Sequence, residues 1–193
     1  MNKAKTAIGV REIVMVGVFS ALVFAASWLS VNIPTPLGNT RIHLGNVLCL
    51  LSGFLLGGVR GGLAAGLGSM LFDFTNPLYF SDAGFTFFSK FVMGFLCGVI
   101  GFRIRRKDFP HKAVAAIVGQ LAYIALYLGK NYYWDALIVQ KSSPEAAWAD
   151  AVLNKAPVSL FNGLLAVVIS VPLALTLQRA LKGALRNQPE ASK

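Results

Sequence analysis

The sequence predicts an all-α membrane protein in which six transmembrane helices form a compact bundle with both termini in the cytoplasm. Three observations support this fold class. The 193 residues are 55% hydrophobic and only 13% charged, whereas about 25% of the residues in a soluble domain carry a charge. The apolar residues fall into six runs, and the net charge of +10 lies in the termini and in every second connection between the runs. A lipid bilayer is the solvent that matches such a chain.

The six apolar runs form a single integral membrane domain, residues 1–193. The first run follows a short basic segment, and its length favours a retained helix over a cleaved signal peptide. The second and third runs are shorter than the roughly 20 residues that a bilayer usually requires. A different tilt, an extension through residues 78–80 or a thinner bilayer would accommodate them. The predicted spans are residues 13–31, 42–59, 61–74, 85–102, 113–129 and 157–177.

Glycines recur every fourth residue in the second and third runs. In water each glycine in a helix costs about 1 kcal/mol relative to alanine. In a membrane, small residues at this spacing allow helix backbones to approach closely. We therefore predict tight packing of these two helices. The two series are Gly53, Gly57 and Gly61, and Gly58, Gly62 and Gly66.

The distribution of charge predicts the orientation of the chain. With the N-terminus in the cytoplasm, thirteen cations and three acids face the cytoplasm, and five of each face outward. Cytoplasmic loops are usually the positive ones, so membrane orientation explains the basic composition without nucleic-acid binding. The predicted cytoplasmic residues are Lys3, Lys5, Arg11, Arg60, Arg103, Arg105, Arg106, Lys107, Lys112, Arg179, Lys182, Arg186 and Lys193, with Glu12, Asp108 and Glu190.

Polar residues near one end of several spans predict a ligand pocket that faces outward. Polar side chains in an apolar span are costly and often functional. For any one of them, hydrogen bonding between helices or snorkelling to the interface is an equally good explanation. Four helices share the pattern, which favours a pocket. The predicted ligand-binding residues are Arg41, His43, Asn46, Asp73, Lys90, Tyr127, Asn131, Lys155, Ser159 and Asn162.

Two predicted outer loops lie beside this pocket. The first, residues 32–46, is rich in proline and glycine and is long enough to cover a cavity as a lid. The second contains Tyr132, Tyr133 and Trp134, which either form an aromatic belt at the lipid headgroups or stack on a flat ligand. Later in the same loop, Ser143 and Pro144 predict the start of a short helix.

The sequence carries no P-loop, zinc-protease or nucleophile-elbow motif. We therefore predict no catalytic residue, no metal site and no cofactor on this chain. Any ATP hydrolysis would take place on a partner. A small intramembrane acyltransferase or phosphotransferase remains an alternative, with Asp108 and His111 as its catalytic candidates. A facilitator that acts alone is another.

The first span carries a face of small residues, Gly17, Ala21 and Ala25, at four-residue spacing. This face packs either within the monomer or against a partner. Together with the basic N-terminus and this AxxxA pattern, three later segments resemble the S components of energy-coupling factor (ECF) transporters, which are ATP-driven vitamin importers. The segments are IHLGNVLCLLSGFLLGGVRGGLAAGLGSMLFD, TFFSKFVMGFLCGVIG and KAPVSLFNGLLAVVISVPL.

This resemblance implies a function and a set of partners. An S component captures a vitamin or vitamin precursor at its outer end, under the first loop, and topples in the membrane to release it inside. Gly17, Ala21 and Ala25 would dock onto a transmembrane coupling subunit that is bound to two ATPase subunits. The chain would lie in the plasma membrane of a prokaryote, in contact with lipid. The outer cations slightly favour a ligand with an anionic or strongly hydrogen-bonding group.

Overall fold

The computed structural model describes residues 9–103 and 109–186, and each of the six predicted spans coincides with a helix in it. Two strands and short helical segments connect these helices. In chain order the elements are α1 (Val10–Trp28), β1 (Ser30–Thr35), β2 (Gly38–His43), α2 (Gly45–Leu56), α3 (Gly58–Thr75), a 3-10 turn (Phe80–Asp82), α4 (Ala83–Arg103), α5 (Phe109–Lys130), a first π-helical segment (Asn131–Val139), α6 (Pro144–Ala149), a second π-helical segment (Asp150–Lys155) and α7 (Ala156–Arg186).

Four helical stretches in the described part of the chain are long and apolar enough to cross a bilayer, so the protein is a multi-pass membrane protein. They are Val10–Trp28, Phe80–Phe102, Phe109–Val139 and Pro144–Ala180. α2 has 12 residues and rises only about 18 Å, and α3 includes Arg60 and Asp73. The six membrane crossings and the positions of the termini therefore stay predictions.

The first outer loop is a β-hairpin, which corrects the expectation of a purely α-helical chain. β1 and β2 pair antiparallel, with Ser30 opposite His43 and Thr35 opposite Gly38. Alternating β-branched residues favour strands, and Gly38 has a φ of +117° at the end of the tight turn, which glycine adopts without strain. The pairing ends α1 at Trp28 and starts α2 at Gly45, inside the predicted limits of 31 and 42.

The chain from Pro144 to Arg186 is continuously helical. Ser143 caps its start, because the Ser143 hydroxyl accepts a hydrogen bond of 3.3 Å from the Ala146 amide, and Pro144 occupies the first turn. This confirms the predicted helix start. The helix passes through the second π-helical segment into α7, so the last span is joined directly to the short helix before it.

The glycine series place helix backbones in direct contact, as predicted. A Cβ added to Gly61 would lie 2.5 Å from Gly53 Cα, and one added to Gly53 would lie 2.6 Å from the Gly94 carbonyl oxygen. α2, α3 and α4 therefore meet without side chains between them. Gly57 has a different role, because its φ of +84° ends α2 and begins the turn into α3.

The apolar core and the buried charges occupy different parts of the bundle. Phe54, Met93, Cys97 and Val171 are among the fully buried core side chains, and both cysteines are free and buried. We call the end of the bundle that carries β1 and β2 the hairpin end, and the end that carries the turn at Gly57 the opposite end. All ten residues of the predicted outward charge set lie at the hairpin end. They are Arg41, Lys90, Lys130, Lys141, Lys155, Asp73, Asp82, Asp135, Glu145 and Asp150.

At the opposite end Arg60 forms an ion pair of 2.6 Å with Glu12. Much of the predicted cytoplasmic charge set lies outside the described part of the chain. The residues outside it are Lys3, Lys5, Arg105, Arg106, Lys107, Asp108, Glu190 and Lys193, together with the side chains of Arg103, Lys182 and Arg186.

Candidate ligand-binding site beneath the hairpin

A small cavity lies between β2 and the neighbouring ends of α3, α4, α5 and α7. The free space inside it is about 70 Å³, which holds a few water molecules, since one water needs about 10–15 Å³ by this measure. A vitamin-sized molecule needs more room than this cavity offers. The lining residues are Asn39, Thr40, Arg41, His43, Asp73, Tyr79, Asp82, Phe85, Thr86, Ser89, Lys90, Tyr123, Tyr127, Lys130, Asn131, Ser159 and Asn162.

The structure brings the ten predicted ligand-binding residues together around this cavity. Eight of them line it: Arg41, His43, Asp73, Lys90, Tyr127, Asn131, Ser159 and Asn162. The other two lie one contact away, because Asn46 accepts a hydrogen bond from Lys90 and Lys155 donates one of 2.9 Å to Asn131.

Arg41 extends from β2 between two aromatic rings. Its guanidinium carbon lies 4.2 Å from the ring centre of Phe72 and 4.5 Å from that of Tyr79, within the range of cation–π attraction. One guanidinium nitrogen, Nη2, forms an ion pair of 3.3 Å with Asp73. The rings and the carboxylate together fix the guanidinium at the wall of the cavity.

Lys90 lies on α4 and is almost completely buried, with 2% of its surface exposed. Its ammonium group lies 3.6 Å from the ring centre of Tyr123 and donates a hydrogen bond to Asn46 Oδ1. None of the ion pairs between described residues includes Lys90. This cation therefore contacts a ring and an amide and forms no ion pair with a described carboxylate.

Polar side chains from α5 and α7 hold the hairpin over the cavity. Asn162 makes two of these bonds: its Nδ2 donates to the Arg41 carbonyl at 2.6 Å, and its Oδ1 accepts from the His43 amide at 3.1 Å. The Tyr127 hydroxyl donates to Thr40 Oγ1 at 3.3 Å. The predicted binding residues on these helices thus contact the hairpin directly.

Lys155 and Asn131 hold the tip of the hairpin. Lys155 Nζ donates to the Leu37 carbonyl at 2.9 Å and to Asn131 Oδ1 at the same distance, and it pairs with Asp150 at 3.2 Å. Asn131 Nδ2 donates to the Tyr127 carbonyl at 2.8 Å. Both the Nδ2 and the Oδ1 of Asn131 therefore already have hydrogen-bond partners.

His43 is a buried, neutral hydrogen-bonding residue at the end of β2. Its Nδ1 accepts a hydrogen bond of 3.1 Å from the Gly45 amide, so the ring proton is on Nε2. Burial, followed by the positive charges of Lys90 and Arg41, lowers the pKa of His43 well below its ordinary value. The imidazole therefore adds no charge to the cavity at neutral pH.

The family described as ECF-type riboflavin transporter, S component, matches residues 7–179. The chain belongs to this family. No curated protein matches the chain.

Membership confirms the resemblance seen in the sequence. ECF S components are the substrate-binding subunits of vitamin transporters and are not enzymes, so the transferase alternative is set aside. The family also implies a vitamin-like substrate and an ECF module with coupling and ATPase subunits as partners.

The small-residue face of the S component points away from its own bundle. Gly17, Ala21 and Ala25 are all exposed, and a Cβ added to Gly17 would have no atom within 4 Å. α1 instead buries the opposite face, which carries Phe19 and Val23. Packing within the described part of the monomer therefore does not account for the small residues.

Several cavity residues of the S component were absent from the predicted set. Tyr79 lies in the non-helical connection after α3, where no periodicity marks it, and its hydroxyl donates to Asn32 Oδ1 at 3.1 Å. Burial raises the pKa of Tyr79, which keeps this donor protonated. Lys130 was also missed, and it forms ion pairs with Asp82 at 2.6 Å and with Asp135 at 2.8 Å.

The Lys130–Asp135 pair has a geometric explanation. The two residues are five positions apart, and the chain between them is π-helical, so i and i+5 share a face. A search at α-helical spacing does not find this pair.

The aromatic residues of this π-helical segment lie outside the cavity. Tyr133 and Trp134 are exposed and belong to the outer surface of the protein.

Proposed function

We propose that this S component binds a vitamin or vitamin precursor at the extracellular side and delivers it into the cell as part of an ATP-driven ECF importer. The observation that carries the proposal is a polar, aromatic-lined cavity at one end of a membrane bundle, closed by a hairpin whose bonds to the bundle are side-chain hydrogen bonds. Such bonds are exchangeable, because each contributes only about 0.5–1.5 kcal/mol net.

Riboflavin is the first ligand to test, since the matching family is described as a riboflavin transporter component. Tyr79, Phe85, Tyr123 and Tyr127 provide rings on the cavity wall for stacking against a flat heterocycle. The closed cavity is too small for a flavin. Binding would therefore require the hairpin to move away from α5 and α7.

The exposed α1 face is the proposed docking surface for the coupling subunit. A surface of Gly17, Ala21 and Ala25 allows a partner helix to approach its backbone closely. The coupling subunit would carry two ATPase subunits that hydrolyse ATP, and the complex would lie in a prokaryotic plasma membrane. Docking face and cavity are on different parts of the molecule, so a substitution can affect one and leave the other intact.

Transport in proteoliposomes tests this proposal. The chain is reconstituted with a coupling subunit and two ATPases, and uptake of labelled riboflavin is measured with and without ATP. We expect Ala21→Trp to abolish ATP-dependent uptake and to leave riboflavin affinity unchanged, because the new side chain blocks the approach of a partner helix.

The matched control is Leu164→Trp, which places the same ring on an exposed position of α7 and should transport normally. Loss of binding in Ala21→Trp would contradict the separation of face and cavity. Uptake by the chain without ATPases would support a facilitator and overturn the ECF mechanism.

A further inference from the structure

The cations at the hairpin end differ in whether a carboxylate accompanies them. Arg41 pairs with Asp73, Lys130 with Asp82 and Asp135, and Lys155 with Asp150. Lys90 is as deeply buried as Lys155, yet no described carboxylate lies within ion-pair distance of its ammonium group. A buried charge without a counter-charge is unfavourable in a protein interior, so Lys90 is the exception that needs an explanation.

Donor groups without acceptors accompany Lys90. Arg41 Nη1 and Asn46 Nδ2 are both buried and have no hydrogen-bond partner in the described part of the chain. The Asn46 side chain is held by the bond that its Oδ1 accepts from Lys90, and Asn46 has only 1% of its surface exposed. We call Arg41, Asn46 and Lys90 the donor cluster. Each of its free polar groups is a donor, and buried donors normally have acceptors.

The charges around the cavity agree with this excess of hydrogen-bond donors. Arg41 and Lys90 both line it, and their charges both act on His43. The neutral imidazole does not compensate them. Of the charged residues on the cavity wall, Asp82 is paired with Lys130 and Asp73 with Arg41, which leaves the charge of Lys90.

We propose that the donor cluster binds an anionic group of the transported ligand, a carboxylate or a phosphate. Such a group would supply the missing charge for Lys90 and acceptors for Arg41 Nη1 and Asn46 Nδ2, in charge-assisted hydrogen bonds. The inference rests on the proposed function and narrows its substrate class. Riboflavin is uncharged, so of two otherwise similar compounds the site favours the one that also carries a carboxylate or a phosphate.

Pairs of compounds that differ only in the anion test the proposal. The purified chain in detergent is titrated with pantothenate and pantothenol, biotin and biotin amide, pyridoxal 5′-phosphate and pyridoxal, and flavin mononucleotide and riboflavin. We expect one pair to bind, with the anionic member at least about 10-fold tighter, since hydrogen bonds to charged groups are the stronger ones. The pair that binds also distinguishes carboxylate from phosphate.

Two variants connect the preference to the donor cluster. Asn46→Asp has nearly the same shape and supplies an internal partner for Lys90, so the preference for the anion should disappear or reverse. Lys90→Gln should lower the affinity for the anionic compound of the pair about 10- to 100-fold and change the affinity for the neutral compound less than about threefold. Lys141→Gln, which removes an exposed charge that does not line the cavity, should keep the preference, and Lys90→Arg, which retains the charge, should keep it as well.

The outcomes separate this inference from the proposed function. A neutral member that binds as tightly as its anionic partner would overturn the anion site and leave vitamin binding intact. An unchanged preference in Asn46→Asp would exclude the donor cluster as its source. If no pair binds, and mass spectrometry finds no small molecule extracted from the purified protein, the proposed function fails and the anion site fails with it.

Discussion

At the opposite end of the bundle α2, α3 and α4 meet at their backbones, whereas at the hairpin end polar side chains connect the elements. A Cβ added to Gly98 would lie 2.5 Å from the carbonyl carbon of Gly57, so no space remains there. At the hairpin end, Asn162, Tyr127 and Lys155 reach across to β1–β2 and its turn. Close backbone packing fixes a structure, while hydrogen bonds at a cavity are available for exchange with a ligand.

A substitution at Gly61 tests the backbone packing of α2 and α3 most directly. Gly61→Leu forces side-chain atoms into Gly53, which is backbone and cannot rotate away. We expect a loss of about 3 kcal/mol in the free energy of unfolding, at the upper end of overpacking costs. Thermal unfolding in detergent measures it. Gly17→Leu is the control, because nothing lies within 4 Å of its Cβ, and equal stability of the two variants would contradict backbone contact at this end.

Asn162→Ala tests the hairpin end. The variant removes both bonds that α7 makes to the β2 backbone, at an expected cost of about 1–3 kcal/mol for closing the hairpin. Hydrogen–deuterium exchange should accelerate at residues 38–43 and stay unchanged in α2 and α3. Thr176→Ala is a suitable control, since the Thr176 hydroxyl bonds within its own helix. Uniform acceleration over the whole chain would show that the two ends are not independent.

The smallest expected effect is the pH dependence that His43 gives to the hairpin end. Folding lowers the pKa of His43. When the pH falls below about 6.5, the ordinary pKa of histidine, the unfolded chain therefore binds a proton on this residue before the folded chain does. Stability is therefore full above pH 6.5 and declines as the pH falls, by at most about 1.4 kcal/mol at pH 5.5. His43→Asn does not titrate, so its thermal stability should fall less between pH 7 and 5.5. Identical slopes would exclude His43 as the cause.

The two ends also differ in how far the sequence predicts them. Glycines at four-residue spacing are a local helical pattern, and the close contacts of Gly53 and Gly61 follow from it directly. The hairpin was expected to be a loop, since Pro34 interrupts the alternation of β1 and Pro36 directly follows that strand. The antiparallel pairing also depends on a partner strand. Of the cavity residues on helices, Asp73, Lys90 and Asn162 are among those predicted from polarity, whereas Phe85 and Tyr123 were not in the predicted set.

Tyr79 and Lys130 were not predicted for two different reasons. Tyr79 lies in a connection without any repeating pattern, and its contact with Arg41 joins residues that are distant in the chain. Lys130 lies where α5 changes to π-helical geometry, so its partner Asp135 is out of α-helical register. Non-local contacts and a change of helical period are both invisible to a search with a fixed spacing.

The hydrogen bonds that hold the hairpin have a consequence for biosynthesis. Thr40 and its partner Tyr127 are 87 positions apart, and Arg41 and Asn162 are 121 apart. The ribosome therefore completes β1 and β2 long before the residues that bind them have been made. Until α7 has been inserted, the early strands have none of these partners, and a nascent chain halted before Asn162 should carry the glycine-packed helices but no closed cavity. The cavity is thus completed at the end of translation, when the last helix joins the bundle.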